Sequence, residues 1–432
     1  MSSDDAASRA ALIELADHGF RRDVGSAPDW LWFVPGRIEI FGKHTDYAGG
    51  RSLLCTVPRG IAVAACPRPD RIVRVIDLSD NEVATIDLAS NRPPRPGLDH
   101  YASVVARRLG LNFPEAQLGA EIAILSDLPR AAGVSSSSAL VVGIASALIR
   151  RASLDRRPEW RANINSTQDR AWYLGCVENG LSYRALPSSS GVGTLGGSED
   201  HAAILACRAG HVSQYRFVPV HHINDVVMPP EWAFLVVSSG VHADKAGGVR
   251  ELYNRASRAT QVLLDIWNSQ TGTPARSLGE ALDSNPEAAD KLRELVNHAP
   301  GGGFTSGALQ SRLDHFVRED RRVPAAAQAF ATADAEALRR LAADSQSDAD
   351  RLLGNQVPQT RTLVELALDS GAFAASSFGA GFGGSVWALV LSHLAQRVGR
   401  HWVHAYERRP GVGRVDWFVA RPGPPLTELP DD

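Results

Sequence analysis

The sequence predicts an α+β protein of at least two domains, and three observations carry that reading. Its 432 residues are 44% hydrophobic and 22% charged, enough to bury cores in more than one unit. Strand-like runs dominate residues 30–76 and return after the Pro229-Pro230 pair. Runs with apolar residues at helical spacing crowd the stretch from 310 to 368. The proline pair sets the predicted boundary, with units at 1–228 and 229–432.

In chain order, residues 5–18 read as a helix with Ala10, Leu12, Ile13, Leu15 and Ala16 on its apolar face. Strands follow at 30–40, 52–57, 61–65 and 72–76, separated by Pro and Gly. A proline-rich connection at 91–97 precedes a helix at 101–109, a strand at 120–126 and a helix at 139–151. Past the boundary come a strand at 232–237, a helix at 247–266 and a loop at 299–304. Helices at 310–318, 324–332, 335–343 and 357–368 precede a strand at 385–391. There is no internal repeat and no heptad pattern.

Composition narrows the function. A net charge of −3 and a pI near 6.5 argue against a generic nucleic-acid binder, which needs a clustered basic excess. Cys55, Cys66, Cys176 and Cys207 show no CxxC spacing, so neither a zinc site nor a redox dithiol is indicated. The amino-terminal stretch is acidic and amphipathic, without the basic region and apolar core of a signal peptide. The longest apolar run, 139–149, is interrupted by Gly143 and Ser146 and is too short to span a bilayer. The expectation is a cytoplasmic chain with no membrane segment.

The richest stretch is VPGRIEIFGKHTDYAGG at 34–50. Val34, Gly36, Ile38 and Ile40 alternate with Arg37 and Glu39, so Arg37 and Glu39 share one face of a strand. The turn after Gly42 packs Lys43, His44, Asp46 and Tyr47 together, a hydrogen-bonding density suited to a small polyhydroxylated ligand. A surface loop of mutually paired charges is the competing account of these residues.

The loop PRAAGVSSSS at 129–138 opens a helix. Gly133 frees the backbone, and Ser135, Ser136, Ser137 and Ser138 offer hydroxyls and unpaired N–H groups at the positive helix end, which suits phosphate. Capping by one serine would explain only one residue of the four. The Walker pattern is absent, since Gly36, Gly42 and Lys43 are one residue too widely spaced and His44 stands where Ser or Thr is needed. Asp200 lies between the flexible loop 187–197 and an apolar run, a place for either a catalytic base or an N-cap. Gly379, Gly381 and Gly384 satisfy GxGxxG, but a strand follows them where a dinucleotide site needs a helix. That leaves a loop built for close backbone approach to a neighbouring element or a ligand.

In their order, PGRIEIFGKHTDYAGG, LPRAAGVSSSSAL and SFGAGFGGSVWALV resemble the three signature motifs of the GHMP small-molecule kinases, the first specifically the galactokinase branch. The resemblance implies an amino-terminal mixed sheet with helices and a left-handed βαβ unit, a ferredoxin-like carboxy-terminal domain, and an active site between them. It implies ATP as phosphoryl donor and Mg²⁺ as its companion, a small-molecule sugar as acceptor, and no nucleic-acid or membrane partner. By the same likeness the serine loop with Gly133 wraps the phosphates, Ser137 contacts Mg²⁺, and Glu178 in CVENG is the second metal ligand. Asp200 matches the family's catalytic aspartate and Arg37 the arginine of its PGR. An attacking hydroxyl must lose its proton and the transferred phosphoryl group must have its charge offset, so the pair suits the chemistry. An adjacent cation also favours the ionised aspartate. His44, Asp46, Gly197 and Tyr253 match the sugar-binding positions, and Lys43 stands where the family has a glutamate that contacts the sugar.

Departures from the family pattern bear on the substrate. Lysine only donates hydrogen bonds and adds a positive charge. Glu39 replaces an asparagine, Ala131 a loop glycine, and Glu199 and His201 flank Asp200 in place of Met and Gln. Lys43 therefore either reads a carboxylate on a modified sugar, such as a uronic acid (galacturonate), or pairs with Glu39 or another carboxylate while the substrate stays galactose or a close relative. The expected activity is phosphorylation of the anomeric hydroxyl of a galactose-like hexose, with a catalytically silent sugar sensor on the same fold as the rival.

Overall fold

The computed structural model describes residues 3–129, 133–241, 248–298 and 301–430. In chain order its strands and helices are α1 (Ser3–Val24), β1 (Trp30–Phe41), β2 (Arg51–Pro67), β3 (Ile72–Asp77), β4 (Glu82–Asp87), α2 (Leu98–Asn112), β5 (Ala120–Ser126), α3 (Ser136–Arg151), α4 (Pro158–Asn163), α5 (Thr167–Asn179), α6 (Glu199–Ala206), β6 (His211–Arg216) and β7 (His221–Val227). The chain continues through β8 (Trp232–Ser238), α7 (Gly248–Thr271), α8 (Leu278–Leu282), α9 (Ala288–His298), α10 (Ser306–Ala331), α11 (Ala335–Asp348), α12 (Pro358–Asp369), β9 (Ala374–Phe378), β10 (Ser385–Leu391), α13 (Ala395–Glu407), β11 (Trp417–Ala420) and β12 (Thr427–Glu428).

Two sheets organise the molecule. The first runs β12-β1-β2-β5-β3-β4, with β6 and β7 continuing from the start of β2. Among the described residues its one parallel pair is β3 with β5, joined through β4 and α2. Alternate residues of β2 face opposite ways: Ala62 and Ala64 pack with Ala16 and Phe20 of α1, while Val63 and Ala65 join the main core with α2 and α3. Ala10 and Leu15, expected on the apolar face of the first helix, instead point to solvent. The second sheet runs β11-β8-β10-β9, all antiparallel, the 4-1-3-2 order of a ferredoxin-like unit. Helices α12 and α13 supply Leu363 and Trp402 to its apolar core.

Two differences from the sequence reading have physical causes. The strands expected at 52–57 and 61–65 are one 17-residue strand. Pro58 and Gly60 lie where β2 exchanges β6 for β5 as its partner and where its register with β1 shifts, so a bulge absorbs them. The helices expected at 310–318 and 324–332 are continuous, with Pro324 inside α10. An interior proline costs about 3 kcal/mol, but Val323 beside it and Phe330 further along the same helix are buried and each contributes about 1.5–3 kcal/mol. The short β12 pairs with β1 across Phe33↔Thr427, so the end of the chain joins the first sheet. Helices α7 to α9 and the first half of α10 form a further apolar cluster around Leu263, Trp267, Leu292 and Phe316, and Ala48 and Tyr47 pack onto it. That cluster backs the turn following β1.

Candidate active site

The end of β1 and the turn after it meet the starts of α3 and α6 around a polar cavity of about 490 Å³, counting its open mouth. Arg37 and Glu39 both line it, as their shared strand face predicted. Arg37 stays paired with Thr56 of β2 across a register shift that follows Pro35, and its N–H donates to the Val134 carbonyl at 3.2 Å. The guanidinium donates through Nε to Asp200 Oδ1 at 2.8 Å and through Nη1 to the Gly133 carbonyl at 2.5 Å. One buried side chain thus ties β1, the serine loop and α6 together. Burial works against its charge, yet Asp200, Glu199 and Glu39 outweigh this and hold its pKa above the ordinary value.

Asp200 sits in the first turn of α6, where Ser198 is the N-cap, so the capping role is not the one it fills. Its Oδ2 lies 3.1 Å from Ser138 Oγ, which lies 2.8 Å from Glu178 Oε2. A hydroxyl has one proton, so Ser138 can satisfy only one of these two carboxylates at a time. The serine that faces both acidic groups is therefore Ser138, while Ser137 is half-buried and outside the cavity lining. Ser135 takes a left-handed conformation at the start of α3 and does not cap it, and its buried Oγ has no partner among the described residues. Gly133 and Ser136 complete the loop beside it, whereas Ala131 lies outside the described residues.

The turn itself is held from behind by α10. Glu319 Oε1 accepts from the N–H groups of Gly42 and Lys43, at 3.0 and 3.3 Å, and the Arg312 guanidinium donates to the Tyr47 hydroxyl at 3.0 Å. His44 Nε2 is 3.0 Å from the Ala380 carbonyl, which can only accept, so that nitrogen carries the proton and Nδ1 accepts from Tyr47, 2.9 Å away. The His44 ring lies 5.0 Å from that of Tyr253, which lines the cavity and is not the core aromatic its helix would allow. Asp46 Oδ2 accepts from the Glu199 N–H at 3.2 Å. Gly197 makes this approach possible, since a Cβ there would stand 2.1 Å from Asp46 Oδ2.

Lys43 is elsewhere. Its side chain is 1% exposed and turns away from the cavity, donating through Nζ to Ser345 at 2.7 Å and Ser376 at 2.8 Å. Ser345 in turn donates to Glu319, which is also paired with Arg322 at 3.0 Å. Burial would raise the Glu319 pKa, but Lys43 and Arg322 pull it below the ordinary value. The sugar-reading role considered for Lys43 is corrected on this geometry, and pairing with an internal carboxylate is what remains.

The cavity is acidic. Burial, reinforced by neighbouring Asp46 and only partly offset by Arg37, Lys43 and the Gly379 N–H, pushes Glu39 up to about 7. Burial and the charge of Asp200 push Asp46 up to about 6. Burial, then Glu39 and Asp46, raise Glu199, whose Oε2 accepts from Ser52 at 3.0 Å. The glycine loop 378–384 joins β9 to β10 rather than a strand to a helix, and its close approach is to a neighbouring element. A Cβ on Gly379 would sit 3.0 Å from the Gly133 carbonyl, and one on Gly381 would sit 2.3 Å from Asn355 Nδ2.

Arg312 and Glu319 were missed by sequence reasoning. The available signal was a polar stripe, Arg312, His315, Glu319 and Arg322, at spacings of three, four and three along one helix.

Comparison with known proteins agrees with this layout. Residues 18–67 match the galactokinase galactose-binding signature, 100–166 the GHMP kinases N terminal domain, and 326–408 the GHMP kinases C terminal. A galactokinase of Roseiflexus sp. is 28% identical, covering 91% of each chain, and that of Bos taurus is 26% identical, covering 94% of this chain and 95% of its own. The fold superposes on Lactococcus lactis galactokinase complexed with galactose with a TM-score of 0.77 at 22% identity, covering 97% of this chain and 99% of the other. Methanococcus jannaschii mevalonate kinase follows at a TM-score of 0.56 and 14% identity, covering 90% and 97%. With the galactose-binding signature laid over the strand and turn that carry Arg37 to Asp46, and both kinase halves matched in order behind it, this chain belongs to the galactokinase branch of the GHMP small-molecule kinases.

Proposed function

We propose that the chain transfers the γ-phosphoryl group of ATP to the anomeric hydroxyl of galactose, giving galactose 1-phosphate. The observation that carries this is the Arg37–Asp200 pair, held at 2.8 Å between the turn 42–47 and the serine loop. In this reading Asp200 orients the acceptor hydroxyl and takes its proton, while Arg37 keeps Asp200 ionised and offsets charge on the transferred group. His44, Asp46, Gly197 and Tyr253 hold the sugar. Gly133 and Ser135 to Ser138 hold the phosphates, where the first N–H groups of α3 and the unpartnered Ser135 hydroxyl suit an anion.

Among the described residues no group of three or more His, Cys, Asp or Glu side chains is spaced to hold a metal. The oxygen set of Ser138, Glu178 and Asp200 nevertheless fits Mg²⁺, which takes one or two carboxylates together with substrate phosphates and water. Glu178 with Ser138 or Ser137 would hold it, and when bound it supplies charge neutralisation on the phosphate oxygens. The uronic-acid alternative rested on Lys43 and has no support from its buried position. The silent sensor has none either, because Arg37 and Asp200 are present and paired.

No helix among the described residues is long and apolar enough to cross a membrane. A cytoplasmic setting is supported by four cysteines that stay buried and unpaired. The boundary at 228/229 is proposed to divide the two units, with the β12 tail returning to the first.

The deciding experiment is ATP turnover with Mg²⁺ over galactose, galacturonate, N-acetylgalactosamine, glucose, arabinose and mannose. Galactose should be turned over fastest. Sugar binding without turnover of any of the six would refute the kinase assignment.

A further inference from the structure

We propose that Glu39 reads the sugar, its Oε1 accepting a hydrogen bond from a hydroxyl of the bound hexose. The inference rests on the galactose kinase reading and names a recognition group within the same site.

The geometry is specific. Glu39 is 1% exposed, shares the face of β1 with Arg37 and lines the cavity. Its Oε2 is fixed by the Gly379 N–H at 2.8 Å, while Oε1 is buried with no hydrogen-bond partner among the described residues. A carboxylate oxygen left that way is costly, more so than a neutral group. A hydroxyl donor brought by a ligand would remove the cost.

The need for an acceptor here follows from Lys43. The resemblance places a sugar-contacting glutamate at that position, yet in this chain the position 43 side chain runs back to Ser345 and Ser376. Glu39, four residues earlier on the strand, does line the cavity. The charged groups facing Glu39 are Arg37, Lys43, Asp46 and Glu199. A hydroxyl donated to Oε1 adds to the pull of Arg37 and the Gly379 N–H and favours the ionised, accepting form.

The alternative is that Glu39 only anchors the glycine loop through Gly379. Glu39→Gln separates the two, because its amide oxygen can still accept from Gly379 while its NH₂ group, standing at Oε1, donates instead of accepting. The measurement is steady-state kinetics of both proteins with galactose and its 2-, 3-, 4- and 6-deoxy forms, with galactose affinity by calorimetry alongside. Expected is a rise of about 10- to 100-fold in KM for galactose, with KM for ATP unmoved. One deoxy sugar that the wild type rejects should be rejected no longer relative to galactose by Glu39→Gln. An unchanged galactose KM and unchanged deoxy-sugar ratios would overturn the proposal and leave Glu39 as an anchor. Wild-type binding without turnover, weakened in Glu39→Gln, would keep Glu39 as a sugar reader while removing the kinase reading. A wild type that binds no sugar would overturn both.

Discussion

Replacing Lys43 tests whether an internal charge network, rather than the substrate, explains this residue. Lys43→Met keeps length and apolar volume but removes two hydrogen bonds, to Ser345 and Ser376, and the attraction to Glu319. Stripping one member from a buried ion pair costs about 3–5 kcal/mol when nothing else holds the partner. Here Arg322 stays within 3.0 Å of Glu319, which also keeps the Gly42 and Lys43 N–H donors. The loss should therefore fall to about 1–3 kcal/mol, the cost of the unmade hydrogen bonds. Lys43→Glu would set a third carboxylate among Glu319 and Glu39 and should cost more, on the order of 3–5 kcal/mol. Urea unfolding midpoints rank the three proteins. Because Nζ points away from the cavity, kcat/KM ratios among galactose, galacturonate and N-acetylgalactosamine should be the same in Lys43→Met as in wild type. A stable Lys43→Met with altered sugar ratios would refute the placement of Lys43 in the network.

Three further outcomes follow from the site. Asp200→Asn should lower kcat by about 10²- to 10⁴-fold with ATP affinity by calorimetry largely retained, and normal turnover would remove Asp200 from the chemistry. Gly197→Ala drives a methyl group into Asp46, 2.1 Å away, so kcat/KM for galactose should fall about 10²-fold while KM for ATP holds; an unaffected galactose KM would mean that Asp46 does not touch the sugar. The pKa values of Glu39 and Asp46 lie above their ordinary values, at about 7 and about 6, so the folded protein holds protons there that the unfolded chain has released. Their contribution to stability is fully present below pH 4 and is lost as pH rises through 6 to 7. Sugar recognition needs the ionised forms and should run the other way, KM for galactose rising as pH falls below about 6. Parallel urea titrations and KM profiles between pH 5 and 8 would show the two trends opposed, and a galactose KM flat across that range would count against both carboxylates as acceptors.

How far the sequence went depended on the range of the interactions involved. Arg37 and Glu39 could be put on one face because alternation along a strand is local, and the serine run announced the start of α3 for the same reason. The placement of Asp200 against Arg37 spans 163 residues of chain and came only through resemblance. Lys43 shows the limit: nothing within ten residues of it says that Ser345 and Ser376 wait behind it, more than 300 residues on. Pro58 and Pro324 misled because proline breaks regular structure by default. Here a change of strand partner and a buried helix face override that default.

The same long-range ties explain why a site on the first sheet needs the rest of the chain. Glu39 holds Gly379 of the glycine loop, and Arg37, two residues before it, holds Gly133 of the serine loop. The glycine loop in turn rests on Gly133 and accepts the His44 proton through Ala380. Strand geometry separates residues two apart by about 6.6 Å. Arg37 and Glu39 therefore reach the cavity from two successive positions on one face of β1. Helix α10 fixes the turn at the end of that strand through Glu319 and Arg312. A substitution that loosens either α10 contact should change sugar KM without touching any sugar-facing atom.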